Sequence, residues 1–393
     1  MNAVAVESGR RPRAAVEPTP APARIALLGT GTVGSAVLER LSAWEGTPYG
    51  ARLSLMHVAN SRVAASGAGL CPRVARSLLA GANGPANAGS AAAAALPSEA
   101  GAGLHVSDLD GVATALRGEG PRIVIDATAS GAVAERHAPW LAQGIHVVTA
   151  CKLGQGTSLA GWRAIRDAAA RGGTRYGDSA TVGAGLPLLR SIRELREGGD
   201  RIHAIAGVLS GSLAWLFNHY DGLRPFSGFV REARDAGYTE PDPRDDLSGE
   251  DVRRKLLILA RAAGFELESA DVEVASLVPP SLAALSTSEL DAALPQLDTV
   301  LRDRYAAAWK HGEKLRFIAR LERAADGAMR ARVGLESLAA DHPLAGGAGT
   351  DNRLAIWSDR YQAQPLLLQG PGAGAAVTAA GLLDDVLRIA RAA

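Results

Sequence analysis

The chain has 393 residues, enough for two or three domains, and 47% of them are hydrophobic, so a single small fold is excluded. The formal charge is only +1, from 42 Lys and Arg against 41 Asp and Glu, so we expect neither nucleic acid nor a membrane surface as a partner. Two cysteines cannot build a disulfide framework or a cysteine metal site. The sequence also contains no run of about 18 apolar residues, the length that would span a bilayer, so we expect a soluble, cytoplasmic protein.

The N-terminal segment has the composition of a tail. Residues 1–23 contain Arg10, Arg11 and Arg13 and a Pro-Thr-Pro-Ala-Pro run, but no apolar stretch that would act in a signal peptide. We interpret this segment as a disordered tail. A targeting or docking arm is the alternative.

Residues 24–150 alternate between short apolar runs and helical patterns. Residues 24–41 predict a strand, a glycine turn and a helix. Further apolar runs that predict buried strands lie at 53–59, 121–128 and 144–150. Residues 66–103, rich in Ala and Gly, predict an insertion that is mostly loop, with a helix over 71–79 as an option. The alternation indicates an α/β fold with a Rossmann-like, doubly wound parallel sheet, which binds ligands at the carboxyl ends of its strands.

A glycine pattern separates the first strand from its helix. Gly29, Gly31 and Gly34 form the sequence G-x-G-x-x-G. In dinucleotide-binding folds the first glycine permits a tight turn, the second lets the backbone approach the pyrophosphate, and the third lets helix and strand pack closely. The amides at the start of the helix then bind phosphate. The position between strand and helix favours a nucleotide site over a turn without function.

The end of the second strand bears on the choice of nucleotide. An acidic residue about 20 residues after the glycines would bind a ribose 2′-hydroxyl. Asn60, Ser61 and Arg62 stand at that place. We therefore favour NADP over NAD, and a solvated loop residue is the alternative for Arg62.

Lys152 follows the strand that ends near residue 150, so its ammonium group is expected at the ligand-binding edge of the sheet. A solvated surface lysine is the alternative, which this position disfavours. For the neighbouring Cys151 we favour a small packing residue over a reactive thiol.

A second domain begins near residue 202, where residues 202–218 predict a strand, a turn and a helix. Residues 237–249 then form an acidic loop made rigid by prolines, which suits recognition of a cationic small molecule. Asp251 and Lys255 follow at the start of a helix, four residues apart and therefore on one face. A solvated loop and a surface ion pair are the alternatives.

These segments resemble the homoserine dehydrogenases of the type without an attached aspartate kinase. The resemblance covers nearly everything from residue 24 to residue 390, while the insertion at 66–103 and the N-terminal tail lie outside it. Its most specific parts are 180–187, 237–255 and 369–381. It implies reversible, NAD(P)-dependent interconversion of L-homoserine and L-aspartate 4-semialdehyde in threonine, methionine and isoleucine biosynthesis. It also implies a homodimer or higher homo-oligomer. We expect no C-terminal regulatory domain, and therefore no feedback inhibition through such a domain.

The resemblance also implies roles for individual residues. Lys255 would give and accept the proton at the substrate's terminal oxygen, with Asp251 and Lys152 beside it. Glu240 would hold the substrate ammonium, with Asp246 as a helper and Lys152 as a further substrate contact. The implied cofactor contacts, besides Arg62, are Gly29, Thr30, Gly31, Thr32, Val33, Gly34, Thr128, Ala129, Ser130, Lys152 and Gly374.

Residues 178–187 match a turn that binds Na⁺ or another monovalent cation in members of this family. The carbonyl oxygens of Val182, Ala184 and Leu186 would be ligands, but Ser179 stands in place of a glutamate ligand. Asp178 is a candidate substitute for that carboxylate. Cys151 is a second departure, because asparagine is usual there.

The predicted organisation is a Rossmann-like nucleotide-binding domain with an inserted α+β domain for substrate binding and dimerisation. The predicted segments are a tail at 1–23, a nucleotide-binding domain at 24–177 and 368–393, a substrate domain at 178–313 and a dimerisation segment at 314–367. Two alternatives to the homoserine enzyme remain: a dehydrogenase for a related hydroxy-amino acid or semialdehyde, and a non-catalytic NADP-binding sensor. The lysines disfavour the sensor, which needs no proton-transfer groups.

Overall fold

The computed structural model describes residues 21–81, 103–324 and 327–392. Its first sheet consists of β1 (Ala23–Leu28), β2 (Leu53–Ala59), β3 (Val63–Ser66), β4 (Gly103–Val106), β5 (Arg122–Asp126), β6 (His146–Thr149) and β7 (Tyr176–Gly177). The order across the sheet is β4, β3, β2, β1, β5, β6, β7. Strands β2, β1, β5, β6 and β7 run parallel to one another. At one edge, β3 pairs antiparallel with β2, and β4 pairs antiparallel with β3. The central strands β1 and β5 are almost entirely buried, as expected for parallel strands covered on both faces.

The second sheet consists of β8 (Ile202–Val208), β9 (Val272–Val274), β10 (Lys314–Arg323), β11 (Met329–Leu338), β12 (Asp351–Ser358) and β13 (Leu366–Pro371). Its order is β13, β12, β8, β10, β11, β9. All described pairs in it are antiparallel except β9 with β11. Strand β8 therefore lies in the interior of the sheet and leads directly into the turn at residues 209–210.

Helices cover both sheets. They are α1 (Thr32–Ala43), α2 (Pro72–Gly81), α3 (Gly111–Ala115), α4 (Gly131–Glu135), α5 (His137–Ala142), α6 (Leu159–Gly172), α7 (Leu188–Glu197), α8 (Gly211–His219), α9 (Phe226–Asp235), α10 (Arg244–Leu247), α11 (Glu250–Ala262), α12 (Pro280–Ala283), α13 (Thr287–Ala293), α14 (Asp298–Lys310) and α15 (Ala375–Ala392). Leu38 of α1 and Leu382 of α15 belong to one core of the first sheet, and Trp140 of α5 and Ile165 of α6 belong to another. The predicted doubly wound α/β fold with an inserted α+β domain is confirmed.

The described part of the insertion, residues 66–81 and 103, contains more regular structure than loop. Its first and last residues lie in paired edge strands, because Ser66 of β3 is opposite Gly103 of β4. The optional helix over 71–79 is present as α2, whose Leu79 is fully buried against the first sheet. The remainder of the insertion, residues 82–102, lies outside the described residues.

Sheet membership differs from the segments defined from sequence. Strand β8, from the predicted substrate domain, and strands β10 to β12, from the predicted dimerisation segment, share one sheet. Strand β13 also pairs in that sheet, and α15 alone returns to the first one. Most of the predicted tail, residues 1–20, lies outside the described residues, while Ala23 already begins β1. Within the described ranges, no helix has the length and apolarity to cross a membrane.

Candidate active site

The glycine turn forms a tight junction between β1 and α1. Gly29 has a φ of +91°, which side chains disfavour. A Cβ on Gly34 would lie 1.8 Å from the carbonyl oxygen of Gly29, so only glycine allows the helix to start this close to the turn. No side chain caps the amides at the start of α1. These free amides at a helix N-terminus suit a phosphate group.

An open cleft of about 830 Å³ adjoins this turn. The predicted cofactor residues that line it are Gly29, Thr30, Gly31, Arg62, Thr128, Ala129 and Ser130. The other predicted contacts lie elsewhere: Thr32, Val33 and Gly34 begin α1, while Lys152 follows β6 and Gly374 precedes α15. The cleft is thus built from the loops after β1, β2 and β5, all at the carboxyl edge of the parallel sheet.

The loop after β2 is shaped by Asn60. The side-chain oxygen Oδ1 of Asn60 accepts the backbone N–H groups of Arg62 and Val63 at 2.8 and 2.9 Å. This local turn holds Ser61 and Arg62 at the cleft, and both are exposed. None of the described residues that line this cleft is acidic, so they offer a guanidinium where a dinucleotide site for NAD would place a carboxylate.

A buried carboxylate, which the sequence analysis did not identify, holds the loop after β5. Asp126 is fully buried, and its Oδ1 accepts the backbone N–H and the hydroxyl of Thr128 at 2.9 and 2.7 Å. Its Oδ2 accepts the Thr149 hydroxyl at 3.1 Å and lies 3.0 Å from Nε2 of His137. Asp126 thereby joins the ends of β5 and β6. The available signal was an acid at the end of an apolar strand, an expensive residue to bury without partners.

Two lysines from different domains meet at one carboxylate. Lys152 follows β6 of the first sheet, and its Nζ lies 3.3 Å from Oδ1 of Asp251. Lys255, on α11, places its Nζ 2.9 Å from Oδ2 of the same side chain. The Lys255 ammonium also donates a 2.7 Å hydrogen bond to the backbone oxygen of Leu209, in the turn after β8. The three predicted catalytic side chains are therefore brought together.

Asp251 is held ionised by its two partners. Burial acts to raise the pKa of Asp251, but the Lys255 and Lys152 ammonium groups outweigh it and hold the pKa well below its usual value. Lys255 is largely buried, whereas Lys152 and Asp251 keep 30% and 40% of their side-chain surface exposed. A small ligand can therefore reach this charged group.

The two predicted substrate acids have different surroundings. The Glu240 residue is exposed, and its backbone N–H donates a 2.8 Å hydrogen bond to Oδ2 of Asp246. Oδ1 of Asp246 accepts the Ser212 hydroxyl at 2.7 Å. Burial raises the pKa of Asp246, against the opposing effect of these two donors. Asp246 thus fixes the loop that carries Glu240 and connects it to the start of α8.

The acidic side chains of the loop at 237–249 repel one another less than the sequence indicates. The Arg244 guanidinium makes a charge pair with Asp242, with Nη2 2.6 Å from Oδ2. This pair lowers the pKa of Asp242. Arg244 also donates to the backbone oxygen of Leu285 at 2.6 Å, so the loop is tied to the segment before α13.

The turn at 178–187 does not fit the predicted cation site with a carboxylate ligand. Both oxygens of Asp178 are occupied by Arg193, at 2.7 and 2.6 Å, so Asp178 does not replace the missing glutamate. Ser179 donates both its N–H and its hydroxyl to Asp385 of α15 at 3.0 Å. Of the candidate carbonyl ligands at Val182, Ala184 and Leu186, the Leu186 oxygen already accepts the backbone N–H of Leu188 at 2.8 Å. In the described part of the chain, no group of three or more His, Cys, Asp and Glu residues could hold a metal ion.

Cys151 has the environment of a packing residue. Its side chain is 3% exposed, and burial together with the nearby Asp126 carboxylate raises the pKa of the thiol. Its backbone N–H donates a 2.8 Å hydrogen bond to the hydroxyl of Thr149. A raised pKa leaves less of the reactive thiolate, which agrees with the favoured interpretation.

The fold and the glycine turn define a dinucleotide-binding protein with a second sheet domain. Two family models divide the chain between them: "Homoserine dehydrogenase, NAD binding domain" matches residues 29–177, and "Homoserine dehydrogenase" matches residues 187–387. The chain belongs to the homoserine dehydrogenase family.

Similar proteins come from fungi and plants. The homoserine dehydrogenase of Saccharomyces cerevisiae is 36% identical over 373 residues, which cover 93% of this chain and 98% of that protein. A chloroplastic bifunctional aspartokinase/homoserine dehydrogenase of Zea mays is 44% identical over 271 residues, or 68% of this chain. The matched part of the chain spans only 29% of that bifunctional protein.

Solved structures share the fold. A Candida auris protein of unknown function is 33% identical, with a TM-score of 0.80, and the match covers 94% of this chain and 98% of that one. A hyperthermophilic archaeal homoserine dehydrogenase in complex with NADPH has a TM-score of 0.68 at 20% identity, covering 94% of this chain and 98% of that one. At that identity the likeness supports the fold alone.

Proposed function

We propose that the protein is a homoserine dehydrogenase that interconverts L-homoserine and L-aspartate 4-semialdehyde with a nicotinamide cofactor, in threonine, methionine and isoleucine biosynthesis. The observation that carries the proposal is the meeting of Lys152 and Lys255 on Asp251, at the edge of the sheet that also carries the dinucleotide turn. Membership of the homoserine dehydrogenase family supports the same substrate pair.

Lys255 is the proton-transfer residue of this proposal. In the reducing direction its ammonium group gives a proton to the aldehyde oxygen, and in the oxidising direction its neutral amine takes the proton of the hydroxyl group. Asp251 and the Leu209 carbonyl hold Nζ of Lys255 in place. Lys152 places a second positive charge beside the same oxygen, where negative charge develops. The bound nicotinamide supplies or accepts the hydride.

The acidic loop orients the amino acid. We assign the exposed Glu240 carboxylate to the substrate ammonium group, because a hydrogen bond between opposite charges is strong and directed. Asp246, whose oxygens already hold Ser212 and the Glu240 backbone, acts by positioning that loop. Fixing the ammonium group holds the reacting carbon at a constant distance from the cofactor.

The cofactor in this proposal is NADP rather than NAD. The exposed guanidinium of Arg62 and the hydroxyl of Ser61 border the cleft where the adenosine ribose of a dinucleotide would lie. The two groups suit a 2′-phosphate. Thr128, Ala129 and Ser130 would contact the nicotinamide half, and Gly374, in the turn before α15, is a further proposed contact.

A spectrophotometric assay of homoserine oxidation tests substrate and cofactor together. The proposal predicts reduction of NADP at 340 nm, with a higher kcat/KM for NADP than for NAD and for homoserine than for hydroxy-amino acids longer by one carbon. A matched Arg62→Ala variant should lose the preference for NADP while keeping turnover with NAD. Absence of turnover with either cofactor, or a better longer substrate, would contradict the assignment.

We also propose that the protein is cytoplasmic and acts as a homodimer. The predicted dimerisation segment supplies β10, β11 and β12, which form half of the second sheet. Sedimentation equilibrium at micromolar concentration should give twice the chain mass of 40.4 kDa. A mass of one chain throughout the concentration range would contradict the dimer.

A further inference from the structure

Arg261 is a buried cation that the catalytic scheme does not use. It lies near the end of α11, is 1% exposed and is among the largest fully buried side chains of the described residues. Within the described ranges, no carboxylate comes within 4.0 Å of its guanidinium. Burial lowers the pKa of Arg261, and the Glu268 carboxylate only partly opposes this. Burying a charge without a close counter-ion is costly, so its partners indicate its role.

Those partners are backbone carbonyls of two separate segments. Nε and Nη2 donate to the oxygen of Leu267 at 3.2 and 2.8 Å, within the second domain. Nη1 donates to the oxygen of Gln155, and Nη2 to that of Thr157 at 2.8 Å. Gln155 and Thr157 belong to the loop that follows β6 and carries Lys152. The guanidinium therefore ties the Lys152 loop to the helix that carries Lys255.

The loop also packs directly against α11. The backbone N–H of Gly156 donates to the Lys152 oxygen at 2.7 Å, which closes a turn. A Cβ on Gly156 would lie 2.8 Å from that same oxygen and 3.1 Å from the Cβ and the oxygen of Arg254. Loop and helix thus meet at backbone distance, and Arg261 binds the loop at residues on both sides of this contact.

We propose that Arg261 is a positioning residue for catalysis: by clamping residues 152–157 onto α11, it sets the distance between the ammonium groups of Lys152 and Lys255. This inference rests on the proposed roles of the two lysines. The planar guanidinium has five fixed N–H donors and reaches three carbonyls in two segments at once. Lysine would keep the charge but not this geometry, so the clamp requires arginine specifically.

A double-mutant cycle tests the inference. Arg261→Lys should lower kcat for homoserine oxidation about 10- to 100-fold, because displacement of a catalytic group by about 1 Å can have effects of this size. The dissociation constant of NADP should change less than about threefold. In a Lys152→Ala background, assayed at high enzyme concentration, Arg261→Lys should have less than about a threefold further effect, since the residue that it positions is gone.

Arg316→Lys is the matched control. Arg316 is also buried, and its Nη1 donates to the backbone oxygens of Phe217 and Leu315, which belong neither to the Lys152 loop nor to α11. The control should destabilise the protein comparably but leave kcat within about twofold. If Arg261→Lys kept its full kcat, or if its loss were equal with and without Lys152, the inference would be overturned.

A second variant approaches the clamp from the loop. Gly156→Ala should reduce kcat without touching Arg261, whereas Gly228→Ala, with no atom near its added Cβ, should not. Hydrogen–deuterium exchange gives a readout independent of activity: Arg261→Lys should speed exchange of the amides at 153–157 and leave the first sheet protected. Unchanged exchange there would refute the clamp. Lack of homoserine turnover in the wild type would instead refute the proposed function, and the exchange test would still stand.

Discussion

The charged side chains of the candidate site are distinguished by their partners. Asp251 pairs with two ammonium groups, Asp246 accepts hydrogen bonds from a hydroxyl and an amide, and Glu240 is exposed to solvent. Sequence predicted that these three acids and the two lysines belong together. The family resemblance assigned Glu240 to the substrate ammonium group with Asp246 as a helper, but the residue pattern by itself could not rank the acids, because burial and hydrogen-bond partners decide which carboxylate is free for a ligand and which holds the loop.

The assignment of Glu240 to the substrate ammonium group can be tested with a variant of the same shape. Glu240→Gln removes the charge that we assign to the substrate ammonium group while keeping the side-chain shape, so the KM for homoserine should rise at least about tenfold. The KM for NADP should change less than about threefold. Steady-state kinetics with each substrate varied in turn measures both values. Asp245→Asn, in the same loop, is the control and should leave both nearly constant; a parallel rise in the two KM values would contradict the assignment.

Among the secondary-structure elements, the turn between β1 and α1 contains two glycines with different roles. Gly34 lets α1 start against the backbone of Gly29, whereas Gly31 has open space around its Cβ position. Local sequence was sufficient to predict this turn, since its pattern and its flanking elements lie within one short segment. It was insufficient for β3 and β4, because their pairing joins residues on either side of an insertion of low complexity.

We expect substitution by alanine to have different effects at the two glycines. Gly34→Ala should destabilise the protein without ligand by about 1 to 3 kcal/mol, because its methyl group overlaps the Gly29 oxygen. Gly31→Ala should leave that stability nearly unchanged but weaken NADP binding, since the methyl group enters the phosphate site. Urea unfolding and fluorescence titration with NADP measure the two effects. Equal stabilities for the two variants would contradict the proposed division of roles.

In the molecule as a whole, the connection between the domains is held by a charge pair on a buried carboxylate and by hydrogen bonds to a second carboxylate. Arg193 binds both oxygens of the fully buried Asp178, and Asp385 of α15 receives two hydrogen bonds from Ser179. The family resemblance directed attention to a cation at this turn. The contacts instead show Asp178 paired with a residue 15 positions away and Ser179 with one 206 positions away. Such partners cannot be predicted from the spacing of residues within the turn.

The Arg193 pair therefore bears on stability. Arg193→Met leaves a buried carboxylate without its partner and should lower the free energy of unfolding by about 3 kcal/mol. Arg190→Met is the matched control on the same helix: Arg190 forms only an exposed pair with Glu194, so the change should cost no more than about 0.5 kcal/mol. Urea unfolding at neutral pH measures the free energy of unfolding of both variants. A similar loss in the two would show that the pair with Asp178 contributes no more to stability than the exposed pair.

The proposed transfer by Lys255 of the proton that accompanies hydride transfer can be tested in a single-turnover experiment. Wild type or Lys255→Ala, with enzyme in excess over NADP, is mixed with saturating homoserine, and the formation of NADPH is followed in a stopped-flow instrument. Lys310→Ala, at an exposed lysine, is the control. We predict that Lys255→Ala slows the first turnover at least about 100-fold and leaves NADP affinity within about threefold of the wild type. A first turnover as fast as that of the wild type would contradict the claim.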